Sequence, residues 1–138
     1  MTDIKDGLLY TKTHQWYDPE SGKVGLTAYA TEQLGEISFV DAEPIKGEDV
    51  EQVIFDGKDP TSDPLDATVE SSKAVGDIYS PVSGNISEVN SDLLDNPEKI
   101  NEDPYGEGWL FTIEASNLDS EKGNLLTTSE YKDFLASL

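Results

Sequence analysis

The chain has 138 residues, and 29 acidic residues against nine lysines and no arginine give a formal net charge of −20. A surface this acidic repels nucleic acid and anionic membranes and favours protein partners with basic docking faces. The same charge is equally consistent with solubility or with adaptation to a salty cytoplasm. Cysteine is absent, which excludes disulfides, thiolate nucleophiles and most structural zinc sites.

No apolar run approaches the roughly 20 residues of a membrane-spanning helix, and the N-terminus lacks the basic and apolar regions of a signal peptide. We therefore expect a cytoplasmic protein, or a mitochondrial matrix protein whose targeting segment has been removed. The length is typical of one domain, which we place at residues 1–138.

The first half of the chain predicts strands around one short helix. Residues 8–17 are aromatic and β-prone, and residues 23–26 predict a second short strand. Thr27 is a suitable N-cap for a helix that ends before Gly35, and residues 36–41 alternate polar and apolar side chains as a strand does. Between residues 42 and 66 the signal is poor. One strand containing Val50 to Phe55, followed by a surface loop, is the best prediction there.

The second half predicts a hairpin, further strands and a final helix. Residues 67–89 contain the hairpin and the strand 85–89, residues 91–96 predict a helical turn, and residues 109–113 predict the last strand. Thr127 and Glu130 have the spacing of a capping box. The predicted apolar face of the following helix consists of Tyr131, Phe134, Leu135 and Leu138. The fold class is mainly β, a small sandwich or barrel with added helices.

Motifs typical of enzymes are missing. There is neither a glycine-rich phosphate loop nor a dinucleotide-binding fingerprint, and the single histidine excludes a two-histidine metal helix. The acidic loop at residues 56–63 does not have the ligand spacing of a calcium-binding loop, so we predict no metal site. His14, beside Trp16, is interpreted as structural.

Lys73 is the strongest candidate for a functional residue. It lies between two short β-prone runs, and a hairpin there would hold one amine at its tip in an otherwise acidic protein. Ser71, Ser72 and Ala74 are small enough to leave the amine open to a modifying enzyme. The alternative is that Lys73 is an exposed lysine without a role, one of nine in the chain.

The sequence resembles the H protein of the glycine cleavage system along nearly its full length. The order and spacing of the matching stretches are specific, and these stretches are residues 10–16, 24–37, 69–75, 79–84, 88–90, 94–97 and 100–110. The resemblance implies a lipoyl-domain-like fold, a flattened barrel or sandwich of two antiparallel sheets with short helices and a C-terminal helix. It also implies that Lys73 carries lipoate through an amide bond, in the sequence context of Glu70, Ser71, Ser72 and Ala74.

The same resemblance implies a carrier rather than an enzyme. Its lipoyl arm would take the aminomethyl group of glycine from a glycine decarboxylase to an aminomethyltransferase, and a dihydrolipoyl dehydrogenase would reoxidise it. A lipoate-attaching enzyme would be a fourth partner, and we expect a monomer. In the family the loaded arm folds into a cleft that shields it from water. The matching cleft positions are Thr13, Gln15, Leu26, Ala74 and Asp77, and Asp77 either pairs with the bound amine or is a solvated acid.

The chain departs from the family pattern in two places. The family usually has Glu where this chain has Gln15, and the loss of that charge predicts weaker storage of the loaded arm. The segment between Val40 and Val69 is roughly ten residues longer than the family pattern leads us to expect, with a longer acidic loop around residues 56–66. An H-like carrier for another lipoate-dependent pathway therefore stays open. So does an unmodified acidic binding module.

Overall fold

Short antiparallel strands make up most of the fold in the computed structural model, which describes residues 4–57 and 59–138. Within those residues the strands are β1 (Leu9–Tyr10), β2 (Gln15–Tyr17), β3 (Lys23–Leu26), β4 (Ile37–Asp41), β5 (Asp49–Val50), β6 (Phe55–Asp56), β7 (Asp59–Pro60), β8 (Thr68–Ser71), β9 (Val75–Gly76), β10 (Gly84–Val89) and β11 (Phe111–Ala115). The helices are α1 (Ala28–Leu34), α2 (Lys99–Glu102), α3 (Leu118–Glu121) and α4 (Thr128–Ala136), with 3₁₀ turns at Glu43–Ile45, Ser91–Leu94 and Lys122–Asn124.

The strands form three sheets. The largest has the order β1-β2-β3-β11-β10-β5, the second has the order β4-β8-β9, and β6 pairs with β7 alone. Neighbouring strands are antiparallel. The expectation of a mainly β fold with antiparallel sheets, short helices and a C-terminal helix is confirmed, but the sheets do not close into a barrel.

The main core lies between the two larger sheets. It includes Val24, Ile86 and Phe111 from the six-stranded sheet and Val40 and Val69 from the three-stranded sheet, each at most 2% exposed. A second cluster, formed by Leu8, Tyr10, Trp16 and Tyr131, attaches α4 to β1 and β2. Both clusters remove apolar side chains from water, and this hydrophobic effect is the main contribution that holds the layers together.

Helix ends follow the sequence signals. The Thr27 side chain accepts a hydrogen bond from the Ala30 amide at the start of α1, and Gly35 ends that helix with a positive φ of 85°. Thr127 and Glu130 form a complete capping box at the start of α4. Tyr131 is fully buried and Phe134 and Leu135 pack against the same cluster. Leu138 was wrongly placed on that face: it lies beyond the helix end at Ala136 and is 53% exposed.

Two other predictions of secondary structure need correction. The segment from Val50 to Phe55 is not one strand: β5 and β6 belong to different sheets, and the chain between them turns so that Val53 donates to the Ser80 carbonyl. Residues 8–17 likewise contain two strands, because a turn at residues 11–14 reverses the chain between β1 and β2. None of the described helices has the length and apolar character that crossing a bilayer requires.

Candidate functional site

Lys73 lies in the three-residue connection between β8 and β9. We call this unit, β8, residues 72–74 and β9, the lysine hairpin. Strand pairing places Val69 opposite Gly76 and Glu70 opposite Val75. Ser72 and Lys73 are exposed and Ala74 is partly exposed, so the predicted hairpin tip is confirmed. Among the described residues the ion pairs join Lys99 to Asp92 and Glu107, and Lys73 takes no part in one.

Ser71 fixes the shape of the tip. Its Oγ accepts hydrogen bonds from the amides of Lys73 (3.3 Å) and Ala74 (3.1 Å) and donates one to the Leu34 carbonyl (2.5 Å). The Ser71 amide also donates to the Ala74 carbonyl at 2.9 Å. A serine that bonds to nearby backbone groups in this way stabilises a turn. The hairpin is therefore ordered at its base and attached to the C-terminal end of α1.

The Lys73 side chain lies against Gly35. A β-carbon at Gly35 would be 2.8 Å from Lys73 Cε and 3.5 Å from its Nζ, so a larger residue there would displace the lysine stem. Asn101 holds the same stretch from the other side: it donates to the Gly35 carbonyl (2.9 Å) and accepts from the Ile37 amide (2.8 Å). The surface next to the amine is thus fixed by residues distant in sequence.

A cavity of about 190 Å³ opens beside the hairpin. Its lining combines apolar side chains with a few polar ones and consists of Thr13, His14, Leu26, Ala30, Gln33, Leu34, Gly76, Asp77 and Ile78. Thr13, Leu26 and Asp77, which the sequence placed in the cleft, border this cavity together, and Asp77 is exposed. Sequence reasoning assigned His14 a structural role only and missed its place in the lining, although it is adjacent to Thr13.

Gln15 and Ala74 do not line this cavity, and their place in the arm cleft stays a prediction. Gln15 is fully buried, and its amide is paired with the backbone of Tyr79: Oε1 accepts from the Tyr79 amide at 2.9 Å and Nε2 donates to the Tyr79 carbonyl. Thr13 Oγ1 also donates to Gln15 Oε1 at 3.2 Å. Ala74 is held in the hairpin turn by its bonds to Ser71. The Gln15 amide joins β2 to the segment after the lysine hairpin.

His14 is held from several sides. It has a φ of 70°, unusual for a residue other than glycine. Its Nδ1 is 2.9 Å from the Tyr131 hydroxyl, which lies 2.8 Å from Thr27 Oγ1. Its ring packs on Tyr29 with centroids 4.6 Å apart. Burial lowers the pKa of His14 from 6.5 to about 4, so the imidazole is neutral at physiological pH.

Nothing else in the described part of the chain suggests a second site of chemistry. No group of three or more histidine, aspartate or glutamate side chains could hold a metal ion in residues 4–57 and 59–138. A larger cavity there, of about 680 Å³, lies between Leu8–Leu9 and the first turn of α4 and does not include Lys73. Lys122 and Lys132 line this larger cavity and Lys12, partly buried, lines another, so what distinguishes Lys73 is its exposed position in the Ser71-bonded turn of the lysine hairpin.

Comparison with known proteins identifies a matching family. The sequence profile of the glycine cleavage H-protein family matches residues 8–138. A probable glycine cleavage system H protein of Pyrococcus abyssi is 42% identical, with 98% of this chain and 94% of that protein covered. The glycine cleavage system H protein of Rubrobacter xylanophilus is 43% identical, with 95% and 94% covered.

A solved structure matches the fold as well. The crystal structure of a glycine cleavage system H protein from Mycobacterium marinum superposes with a TM-score of 0.76 at 34% sequence identity. The match covers 98% of this chain and the whole of that chain. The similarity therefore extends over the sheets, the lysine hairpin and α4 alike.

Proposed function

Because the chain belongs to the glycine cleavage H-protein family, we propose that Lys73 is the residue to which lipoate is attached. Members of this family are the lipoyl carriers of the glycine cleavage system and are not themselves enzymes. When bound, the lipoyl group supplies the sulfur that takes up the aminomethyl group of glycine. The observation that carries the assignment is the position of Lys73, exposed at an ordered hairpin tip beside a cavity.

The residues around Lys73 fit such a group. The amine is accessible, Gly35 leaves room along the lysine stem, and the adjacent cavity offers apolar side chains together with Thr13 and Asp77. Attachment at the end of a long side chain raises the local concentration of the reactive end at each partner. We propose that Leu26, Leu34 and Ile78 exclude water from the stored arm, and that the exposed Asp77 carboxylate interacts with its ammonium group.

The partners follow from the family. We propose a glycine decarboxylase, an aminomethyltransferase and a dihydrolipoyl dehydrogenase as the enzymes that the arm visits, and a lipoate-attaching enzyme that acts on Lys73. The net charge of −20 supports docking faces rich in basic residues on these proteins. A monomer in the cytoplasm, or in the mitochondrial matrix, stays a prediction, as does a single domain over residues 1–138.

The test is a mass measurement with a matched pair of variants. We expect the native protein to carry one lipoyl group, located on the peptide that contains Lys73, and Lys73→Arg to carry none while it unfolds like the parent. Lys46→Arg changes another exposed lysine and should be lipoylated normally. Lipoylation of Lys73→Arg would contradict the assignment.

Loading by a reconstituted glycine decarboxylase is the second measurement. We expect the lipoylated parent to take up the aminomethyl group and Lys73→Arg to take up none. A lipoylated protein that the decarboxylase cannot load would instead indicate a carrier for another lipoate-dependent pathway.

A further inference from the structure

Two exposed apolar side chains lie on the outer face of the three-stranded sheet. Phe39 in β4 is 43% exposed and Val75 in β9 is 66% exposed. Strand pairing places Glu70 opposite both of them, so the three side chains form a row across the sheet. With strands spaced about 4.8 Å apart, Phe39 and Val75 are about 10 Å from each other. We call Phe39, Glu70 and Val75 the outer apolar face.

The composition of this face is unusual for the molecule. Five large apolar side chains are exposed in the described part of the chain, and two of them, Phe39 and Val75, flank one carboxylate on this sheet. Val40 and Val69, on the opposite face, are at most 2% exposed, so the core does not need the outer pair. Exposed apolar side chains that lie together with a polar rim are typical of protein interaction sites.

Because this face lies next to Lys73, it is suited to contact an enzyme that acts on the Lys73 amine. An enzyme that forms a bond to Lys73 Nζ must cover the surface around the hairpin tip, because its reacting atoms come within bonding distance of that nitrogen. An enzyme that acts on the sulfur end of the arm works one arm length away, so its reacting atoms do not have to approach Lys73 Nζ. Glu70 lies three residues before Lys73, so the outer apolar face borders the tip directly.

We propose that the outer apolar face is the docking surface of the enzyme that attaches lipoate to Lys73, an inference that rests on the function proposed above. In that reaction the neutral amine attacks the carbonyl carbon of a lipoyl group activated as an acyl–phosphate anhydride. The new C–N amide bond forms, the C–O bond to the phosphate breaks, and one amine proton is released. The partner offers an apolar patch opposite Phe39 and Val75 and a basic side chain opposite Glu70, with Asp41 adding to the acidic rim on the same face.

The test measures the rate of lipoylation. The double variant Phe39→Thr/Val75→Thr places a residue with high β-propensity in both strands and removes the apolar contact. Ile54→Thr is the matched control, because Ile54 is 58% exposed and lies in the segment between β5 and β6. Unlipoylated proteins are incubated with a lipoate-attaching enzyme, lipoate and ATP, and intact mass is followed over time. We expect kcat/KM to fall about tenfold for the double variant, as for hot-spot residues of an interface, and to stay unchanged for Ile54→Thr.

Further measurements separate the outcomes. The double variant, once driven to full lipoylation, should be loaded by the glycine decarboxylase at the parent rate and should unfold with the parent midpoint. Equal lipoylation rates for the double variant and the parent would overturn the proposal. A loss confined to decarboxylase loading, or a change in oligomeric state, would also overturn it, because the face would then bind that enzyme or a second copy. If Lys73 of the parent accepts no lipoate, the proposed function itself is wrong and this inference falls with it.

Discussion

The lysine hairpin and the β1–β2 turn (residues 11–14) border the same cavity but are constrained to different degrees. The turn has an internal bond from the His14 amide to the Thr11 carbonyl, and its last residue is fixed by Tyr131 and packed on Tyr29. The lysine hairpin depends on Ser71 for its shape, and its tip is exposed. A carrier needs both: an accessible amine for modification and a fixed surface against which the attached arm can be stored.

We expect the largest loss of stability from a charge at Gln15, the buried residue that follows the β1–β2 turn. Gln15→Glu replaces the amide that donates to the Tyr79 carbonyl with a carboxylate, in a fully buried position. We expect a loss of at least about 2 kcal/mol of unfolding free energy at neutral pH, measured by denaturant titration. The pKa of the new carboxyl should be raised by burial, so the deficit is smallest below its unfolded pKa and grows as the pH rises through the folded pKa.

Gln33→Glu is the control for that experiment. Gln33 lines the cavity beside the lysine hairpin, which Gln15 does not, and its exposed side chain leaves the added charge in contact with water. We expect its unfolding free energy to change by less than about 0.5 kcal/mol. Equal losses for the two variants would mean that the Gln15 amide is not a fixed part of the structure.

A smaller effect should follow from crowding the lysine stem. Gly35→Ala puts a β-carbon 2.8 Å from Lys73 Cε and also requires a φ of 85° with a ψ of −160°, a region that residues other than glycine rarely adopt, at a cost of about 1–3 kcal/mol. Gly47→Ala has a similar φ of 84° and no atom within 4 Å of the new carbon, so it carries the backbone cost alone. We expect both variants to be destabilised, and only Gly35→Ala to shift the NMR signals of the Lys73 ε-methylene. A shift in both, or in neither, would show that the stem does not rest on Gly35.

The effect that is smallest at neutral pH, and grows as the pH falls, comes from His14 in the turn itself. The folded protein keeps His14 neutral down to about pH 4, whereas the unfolded chain binds a proton near pH 6.5. The parent should therefore lose stability relative to His14→Asn as the pH falls from 6.5 toward 4, because only the parent's unfolded state gains that proton. Asn tolerates the positive φ at this position. Paired denaturant titrations across that range measure the difference in unfolding free energy between the two proteins. A difference that does not change with pH would mean that folding does not lower the pKa of His14.

Local signals in the sequence were sufficient for the parts of the fold that depend on neighbouring residues. Thr27 and Gly35 mark the two ends of α1, and the capping box marks the start of α4, because a cap bonds to residues three or four positions away. The hairpin around Lys73 was likewise predicted from short β-prone runs and small residues at the turn. The outer pair, Phe39 and Val75, was missed because facing positions in a sheet depend on strand pairing.

The contacts that complete the site are distant in sequence. The partner of Gln15 is Tyr79, 64 residues away, and nothing in either local sequence predicts the pairing. The same holds for His14, whose neighbour Tyr131 lies 117 residues along the chain. The family resemblance assigns Thr13, Leu26, Asp77 and Gln15 to one cleft. The structure shows that the first three line the cavity, whereas the Gln15 amide is bonded to the Tyr79 backbone.

Asn101 has a consequence for the order of events during synthesis. Its amide bonds both Gly35 and Ile37, so the stretch beside the lysine stem is complete only when a residue 28 positions after Lys73 has docked. A nascent chain whose hairpin has left the ribosome while Asn101 is still in the exit tunnel has no such support. We therefore expect the surface beside the Lys73 stem to reach its final form only after Asn101 has left the tunnel and docked.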